Sequence, residues 1–590
     1  MINIPNRQTK AYVQANESNT LGSVWSTFNA ELSQKKGSIL ANRSKLVFNS
    51  DDDADFGIPM ASAIFDYNND LTAEYVVACE GGGIFWGGAN PSDTFTEDTY
   101  TSTPTLSIRD RIDMSVFNSK LYVSDTSNIK SIAKGGTSWT APVTSLTTGL
   151  HILRPFADRM YFTEADNKIR SFNTAETVAT SGSYTLDVGS NYPDLEITCM
   201  EAGTNSIWVG TVNQTGDSAY IFEWDGVTSD TPDNAYRIDT YGVLACVIKD
   251  NLPYFIDVEG RLLGLNGSSF VEIDRLPIDK NKALYDLTKR TSSTLSDRDT
   301  FIRHNGMALI DGNINMLIHA EYVDGTHSEK FPSGIYEYTP QTGLYHKNSV
   351  SYSNVSGTTA TDYGQSILDN VGCLMYANYG NSDSDRNGRY LFGASYFTDA
   401  TSTKTGLFID DTKSTTKKSF ELATPLLFAS QVSDAWTDLI IRNQPLLNST
   451  DKIIASYRTD LGVSVEGTIT WITPETITTT ADLSNIEAGD EMFVLQGNGA
   501  GMRARIDTIT DKGGSYRVTF KSNFLSATGT SKARFTKWRE FDCFETQGTE
   551  YKILGISKEA SQIQFKINGE WTNENEIYEL SINNKTDQQL

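Results

Sequence analysis

Residues 117–125 read FNSKLYVSD and residues 156–164 read FADRMYFTE. Each has an aromatic residue, a turn, a basic residue, an apolar–Tyr pair and a polar end. Their tyrosines, Tyr122 and Tyr161, stand 39 positions apart. Similar apolar runs follow at NSIWVGT around Trp208, NLPYFID around Tyr254, NINMLIH around Leu317 and VGCLMYA around Met375, at further spacings of 47, 46, 63 and 58. Upstream, AEYVVAC around Tyr75 takes the same place. Many of these runs lead through a turn to a second strand-like segment, as in NKIRSFN at 167–173, YIFEWDG at 220–226 and RLLGLNG at 261–267. Asp-Gly and Asn-Gly supply the positive φ angles of tight hairpins. An irregular all-β period of about 40–50 residues is the mark of propeller blades, which bury both faces only by stacking around a ring. About seven blades fit between residues 56 and 420. The competing reading is a set of unrelated antiparallel meanders.

Past residue 420 the texture changes. FASQVSDAWTDLIIRNQPLL at 428–447 lacks the blade pattern. Residues 466–531 form a polar, Thr- and Gly-rich β segment, followed by KARFTKWREFDCF, KILGIS, IQFKINGEW and IYELSIN. In IQFKI, Ile563, Phe565 and Ile567 alternate with Gln564 and Lys566, the pattern of a half-buried strand. The expected organisation is all-β: an N-terminal basic arm and connector at 1–55, an irregular β-propeller at 56–420, and a β-sandwich platform at 421–465 and 532–590 with an inserted small β-barrel at 466–531. Helix is scarce; Asn29–Lys36 and Ser292–Arg303 could each supply a short turn or helix.

The 590 residues carry a formal charge of −25, unevenly spread. Residues 1–50 are net +4, residues 51–420 net −22 and residues 421–590 net −7. An acidic body repels phosphate, which argues against tight nucleic-acid binding across its surface. Either solubility or a wall that DNA passes without sticking accounts for the charge. The five cysteines stand alone, with no CxxC, and read as buried thiols made in a reducing compartment. The opening MINIPNRQTKAYVQ lacks the apolar core of a signal peptide, and no run of 18 apolar residues predicts a membrane span.

Four motifs invite chemistry. In GNSDSDRNGRY at 380–390, Asp383, Asp385, Asn387 and Gly388 match the start of a calcium loop. An EF-hand needs a Glu at the twelfth position, which is Ala394, so the choice lies between a propeller-hairpin calcium site and a solvated turn. DDDADFG at 51–57 spaces Asp51, Asp53 and Asp55 by two but puts Phe56 where the turn glycine belongs, as a connector would. GNGAG at 497–501 is followed by the strand-like MRARI, not a helix, and reads as a glycine-rich hairpin with Arg503 and Arg505 on one face. GGTSWT at 135–140 loosely matches the end of a sialidase Asp-box but occurs once. The five histidines lack zinc-ligand spacing, no G-x-S-x-G elbow exists, and acidic residues are too many for a catalytic pair to be chosen. No enzyme is predicted, and no cofactor beyond possible calcium.

Two segments carry a family resemblance. WSTFNAELSQKKGSILANRSKLVFNSDDDADFGIP at 25–59, and AWTDLIIRNQPLLNSTDKIIASYRTD at 435–460 with SQIQFKINGEW at 561–571, resemble phage virion structural proteins built on a propeller. The order of arm, propeller, sandwich, insertion and sandwich end is similar to that of tail nozzle or tail hub proteins of short-tailed phages. By motif the likeness covers about 80 residues. It implies a non-enzymatic subunit of a homo-oligomeric ring, by resemblance a hexamer, that forms and gates the DNA exit channel. It also implies tail adaptor or portal-proximal proteins and tail fibres as partners, transiting DNA without tight binding, assembly in the host cytoplasm and residence in the virion tail. The alternative is a host-receptor or glycan-binding tail protein, and a third reading a glycan-cleaving enzyme.

Overall fold

The computed structural model describes residues 2–4, 26–28, 30–33, 38–41 and 44–585, except 88–94, 105, 107–111, 165–166, 229, 277–300, 320–332, 341, 351–367, 380–387, 398–402, 411–417, 425–426, 429–434, 450, 460–463, 498–502, 522–528, 545–547, 549–550, 560–561 and 572–575. The chain is all-β among these residues, apart from one helical turn, Val188–Asn191.

Seven four-stranded antiparallel sheets form the propeller. Their innermost strands are Pro59–Phe65, Asp113–Phe117, Leu153–Phe156, Leu195–Ala202, Val243–Lys249, Met307–Ile310 and Leu368–Tyr379. These touch one another in order, and the seventh returns to the first. Two-residue turns with left-handed backbone join first and second strands: Asn118–Ser119, Asp250–Asn251 and Asp311–Gly312. Asn, Asp and Gly tolerate that conformation, so the turn chemistry fixes the strand register. Six of the repeat positions fall on second strands, from Tyr75 to Leu317. Met375 does not. It lies on the innermost strand of blade 7, whose second strand is Gly388–Phe397. Inner blade strands are buried on both faces, so an apolar run alone cannot tell first from second.

The ring is closed by the chain's own beginning. Ser44–Asn49 pairs with Thr403–Asp410 as the outermost strand of blade 7. Phe48 from this strand packs edge-on against Phe56, ring centroids 4.9 Å apart, and lies near Phe85 and Phe95 of blade 1. Burying such a side chain contributes roughly 1.5–3 kcal/mol, so the closing strand is held by packing as well as by its ladder.

The described residues before 44 pair into the sandwich. Ser26–Phe28 pairs with Lys418–Ala423 in one six-stranded sheet of the sandwich. Ile2–Ile4, Ala30–Ser33 and Ser38–Ala41 join the other, beside Glu576–Lys585, Ala435–Asn443 and Tyr551–Glu559. Within Asn29–Lys36, residues 30–33 form a strand and not a helix, paired with Ser38–Ala41; residues 29 and 34–36 lie outside the described residues. Of Ser292–Arg303, residues 292–300 lie outside the described residues, and 301–303 are not helical.

The sandwich also covers blade 6. Its strands Ser26–Phe28 and Ala30–Ser33 lie against Gly343–Asn348, the outermost strand of that blade. Tyr345 and Lys347 on this strand are buried, and both donate to Glu337, at 2.6 and 2.5 Å.

The small barrel is closed and six-stranded, running from Ser464–Thr473 to Thr530–Thr536. It fills its interior with Ile469, Trp471, Met492, Val494, Ile506, Val518 and Phe535. The barrel interrupts the chain between Lys452–Arg458 and Arg539–Phe544, which pair antiparallel in the sandwich. Entry and exit therefore lie side by side, and a whole domain fits where a hairpin turn would.

Candidate functional site

A buried polar cluster links the innermost strands of neighbouring blades. Asp113 opens the first strand of blade 2 and is 1% exposed. Its Oδ1 accepts from the Met114 amide at 2.8 Å and from Asn305 Nδ2 at 2.9 Å. Its Oδ2 accepts from the Leu153 amide and from Arg154 Nη1, both at 2.8 Å. Four donors on one buried carboxylate stabilise its charge.

Arg154, near the start of blade 3, extends the network. Its Nε donates to Glu201 of blade 4 at 2.9 Å, and its Nη2 to Asn305 Oδ1 at 3.2 Å. Asn305 leads into blade 6; its side chain also donates to the Met60 carbonyl of blade 1 at 3.3 Å, and its own carbonyl accepts from the Leu374 amide of blade 7. Arg303 reaches Asn370 and the Val371 carbonyl of blade 7. Blade 5 contributes Cys246, whose thiol feels the Arg154 charge. All seven blades thus meet at one guanidinium and the residues 303–305. Burial opposes the Arg154 charge, but Asp113 and Glu201 outweigh it and raise its pKa.

His304 behaves differently. Its Nε2 is buried, has no hydrogen-bond partner and lies 3.9 Å from Asp113 Oδ1. Burial pushes its pKa down to about 4; Asp113 opposes this, and Arg154 and Arg303 reinforce it. The imidazole is neutral at pH 7, so the contact with Asp113 is not an ion pair.

A second polar junction fastens the barrel to the sandwich. Lys566 donates to both oxygens of Glu491, at 2.8 and 3.0 Å, and is 1% exposed. Arg539 Nε donates to the fully buried Asp490 at 2.9 Å. Lys537 lies 3.4 Å from the same carboxylate. The Trp538 ring has Arg458 and Lys566 within 4.6 and 4.7 Å of its centre. Gln564 and Lys566 are therefore buried, not solvated as the alternation in IQFKI predicted: Lys566 lies against Glu491 of the inserted barrel, and Gln564 is held by Arg458 and the Thr424 carbonyl.

Of the candidate calcium residues, Asp383, Asp385 and Asn387 lie outside the described residues. Among the described residues, two other acidic groups bring carboxylate oxygens within 4.8 Å of one another: Asp53, Asp55 and Glu97, and Asp66, Asp70 and Glu74. The first uses the 51–57 connector, which joins blade 7 to blade 1, together with a glutamate from the outer strand of blade 1. In the second, Lys134 already pairs with Asp66, and the Tyr67 amide donates to Glu74 at 2.5 Å. Its signal in sequence was the every-second-residue run Asp66, Asn68, Asp70, Thr72, Glu74. The flanks of GNGAG, Glu491–Gly497 and Arg503–Asp511, pair antiparallel as a hairpin does; residues 498–502 lie outside the described residues. Arg505 is exposed.

No protein-family model and no curated protein matches the chain. Solved structures similar to it include the WD40 β-propeller domain of Doa1, at 9% identity over 62% of this chain and 97% of that one, with a TM-score of 0.37. The extracellular domain of the putative one component system BT4673 from B. thetaiotaomicron is similar at 11% identity over 81% of this chain and 50% of that one, TM-score 0.39. The computationally designed Ika8 protein is similar at 12% identity over 59% and 96%, TM-score 0.33. Among the described residues, no helix is long and apolar enough to cross a membrane.

Proposed function

We propose that this chain is a structural protein of a bacteriophage tail, a nozzle or hub subunit that works in a homo-oligomeric ring around the DNA exit path. The observation that carries this reading is the fastening of its three β modules. The N-terminal segment runs through both sandwich sheets and then closes blade 7. The sandwich covers a blade edge, and buried ion pairs lock the barrel to the sandwich. Such a body transmits force without changing shape, as a ring under the load of DNA ejection must. The polar hub around Asp113 and Arg154 ties the innermost blade strands together and so stiffens the propeller itself. The acidic propeller, net −22 over residues 51–420, suits a wall along which phosphate slides without strong contacts.

Immunogold labelling of whole virions with antibody against this chain, viewed in negative stain, tests the reading. Label at the central tip of a short tail is the expected result. Label along peripheral fibres would replace it with receptor binding, and unlabelled particles would overturn a virion role.

A further inference from the structure

We propose that Cys199 and Cys246 form a latent disulfide, an oxidisable thiol pair that locks blade 4 to blade 5 covalently. The two residues lie on the innermost strands of neighbouring blades, Leu195–Ala202 and Val243–Lys249, and in one apolar cluster. After burial, the neighbouring Cys199 thiol is the next influence that raises the Cys246 thiol pKa. The position opposite Cys199 in the ladder is Gly210. A Cβ there would stand 2.4 Å from Cys199 Sγ and 2.5 Å from Val243 Cγ2. The absent side chain is what lets the Cys199 sulfur lie across the seam, toward Val243 and Phe255 of blade 5; Phe255 is the ladder partner of Cys246. The seam is also held by Thr198 Oγ1 donating to the Val243 carbonyl at 2.6 Å, so the two strands stay in register when the bond forms.

The chemistry balances with a peroxide as the oxidant. Either thiol can attack first; with Cys246 as the nucleophile, Arg154 favours the thiolate, while burial, Cys199 and Glu201 outweigh it and hold the thiol pKa well up. The thiolate attacks one peroxide oxygen, the O–O bond breaks, and the departing hydroxide takes up a proton as water. The sulfenic acid on Cys246 then condenses with the Cys199 thiol; the S–S bond forms and a second water leaves. Two thiols are oxidised and one peroxide is reduced. Burial pushes the Cys246 thiol pKa well up, so the reaction is slow and follows opening of the seam. Cys79 and Cys373 provide an internal comparison, since they are also buried and sit in neighbouring blades, 1 and 7. Burial raises the Cys373 thiol pKa to about 11 while Ser62 opposes it. A Cβ at Gly372 or Gly393 beside it would meet Pro59 first, so neither glycine makes room for its sulfur as Gly210 does for that of Cys199, and the pair is not predicted to join.

This inference stands whether or not the chain belongs to a tail. The test treats the full chain, without denaturant, with hydrogen peroxide, removes the peroxide, alkylates free thiols in denaturant and maps the peptides by mass spectrometry. One reducible linkage between the Cys199 and Cys246 peptides is expected, growing with exposure time, with Cys79 and Cys373 left alkylated. Cys246→Ser abolishes it, while Cys79→Ala, on another seam, leaves it intact and guards against misfolding of the first variant. Persistence of both thiols, sulfinic acid without linkage, or linkage between other cysteines would overturn the proposal.

Discussion

Replacing Arg154 with methionine isolates the polar hub. The change keeps an apolar stem of similar length and removes the guanidinium. Asp113 then loses one of its four donors while staying 1% exposed, Glu201 loses its Nε partner, and Asn305 Oδ1 loses its contact. Breaking a buried pair by removing one partner costs about 3–5 kcal/mol, chiefly because the surviving charge stays buried. The Met114 and Leu153 amides report on this directly, since both donate to Asp113. Native-state hydrogen exchange at these two amides is expected to accelerate by about a hundredfold or more, at tenfold per 1.4 kcal/mol. The double variant Asp113→Asn with Arg154→Met removes the orphaned charge, so its cost should fall short of the sum of the single changes by about 1–3 kcal/mol. Exchange at the two amides unchanged in R154M, or strict additivity in the double variant, would refute the coupling of the blades through this site.

His304 makes the propeller sensitive to acid. Its folded pKa, about 4, lies below the ordinary value of 6.5, so the unfolded chain takes up the proton first. Stability is full above about pH 6.5 and falls through that window by roughly 3 kcal/mol, levelling near pH 4; His346, lowered to about 3, acts in the same direction. A thermal-unfolding series from pH 7 to 4 should be shallower for His304→Gln, and parallel curves would sink the assignment. Lys566→Met should cost about 3–5 kcal/mol at the barrel junction. Its signature is faster hydrogen exchange in residues 464–536 with the propeller unaffected, and an equal change in both modules would contradict a local clamp. Phe48→Ala should cost about 3–5 kcal/mol and open the blade 7 closure to protease near residue 44. Cleavage no faster than in the native chain would show that the strand ladder alone holds the ring shut.

The propeller was legible because its cause is local. Each blade repeats strand, tight turn, strand, and the turn residues at 250–251 and 311–312 advertise themselves. The closure was not, because Ser44–Asn49 finds its partner more than 350 residues away and nothing in SKLVFN names Thr403–Asp410. The hub was hidden for a related reason. Asp113, Arg154, Glu201 and Asn305 each look like an isolated polar residue near a strand end, and only ring geometry brings them together. Periodicity misled at IQFKI because alternation reports which side chains avoid the sandwich core, not what packs on the polar face. Acidic spacing likewise drew attention to Asp383 and Asp385, while the equally regular Asp66, Asn68 and Asp70 passed unmarked, since no glycine follows them.

The two polar junctions differ in a way that bears on mechanics. At the hub, the chain surrounds its ions with backbone from several blades, so loss of one contact is shared around the ring. At the barrel, the cations come from the sandwich side, Lys537, Arg539 and Lys566, and the carboxylates from the barrel side, Glu487, Asp490 and Glu491. Only two chain crossings join these modules, and two crossings alone form a hinge. The opposed charges, with Asp490 and Lys566 both buried, remove that freedom: rotating the barrel would separate ions that water cannot reach to compensate. A domain inserted where a hairpin turn would suffice, and then denied its hinge, is placed for direction as well as for presence. The barrel's hairpin at Asp511–Gly514 is exposed, so it is free to make outside contacts while the barrel that carries it is held in place.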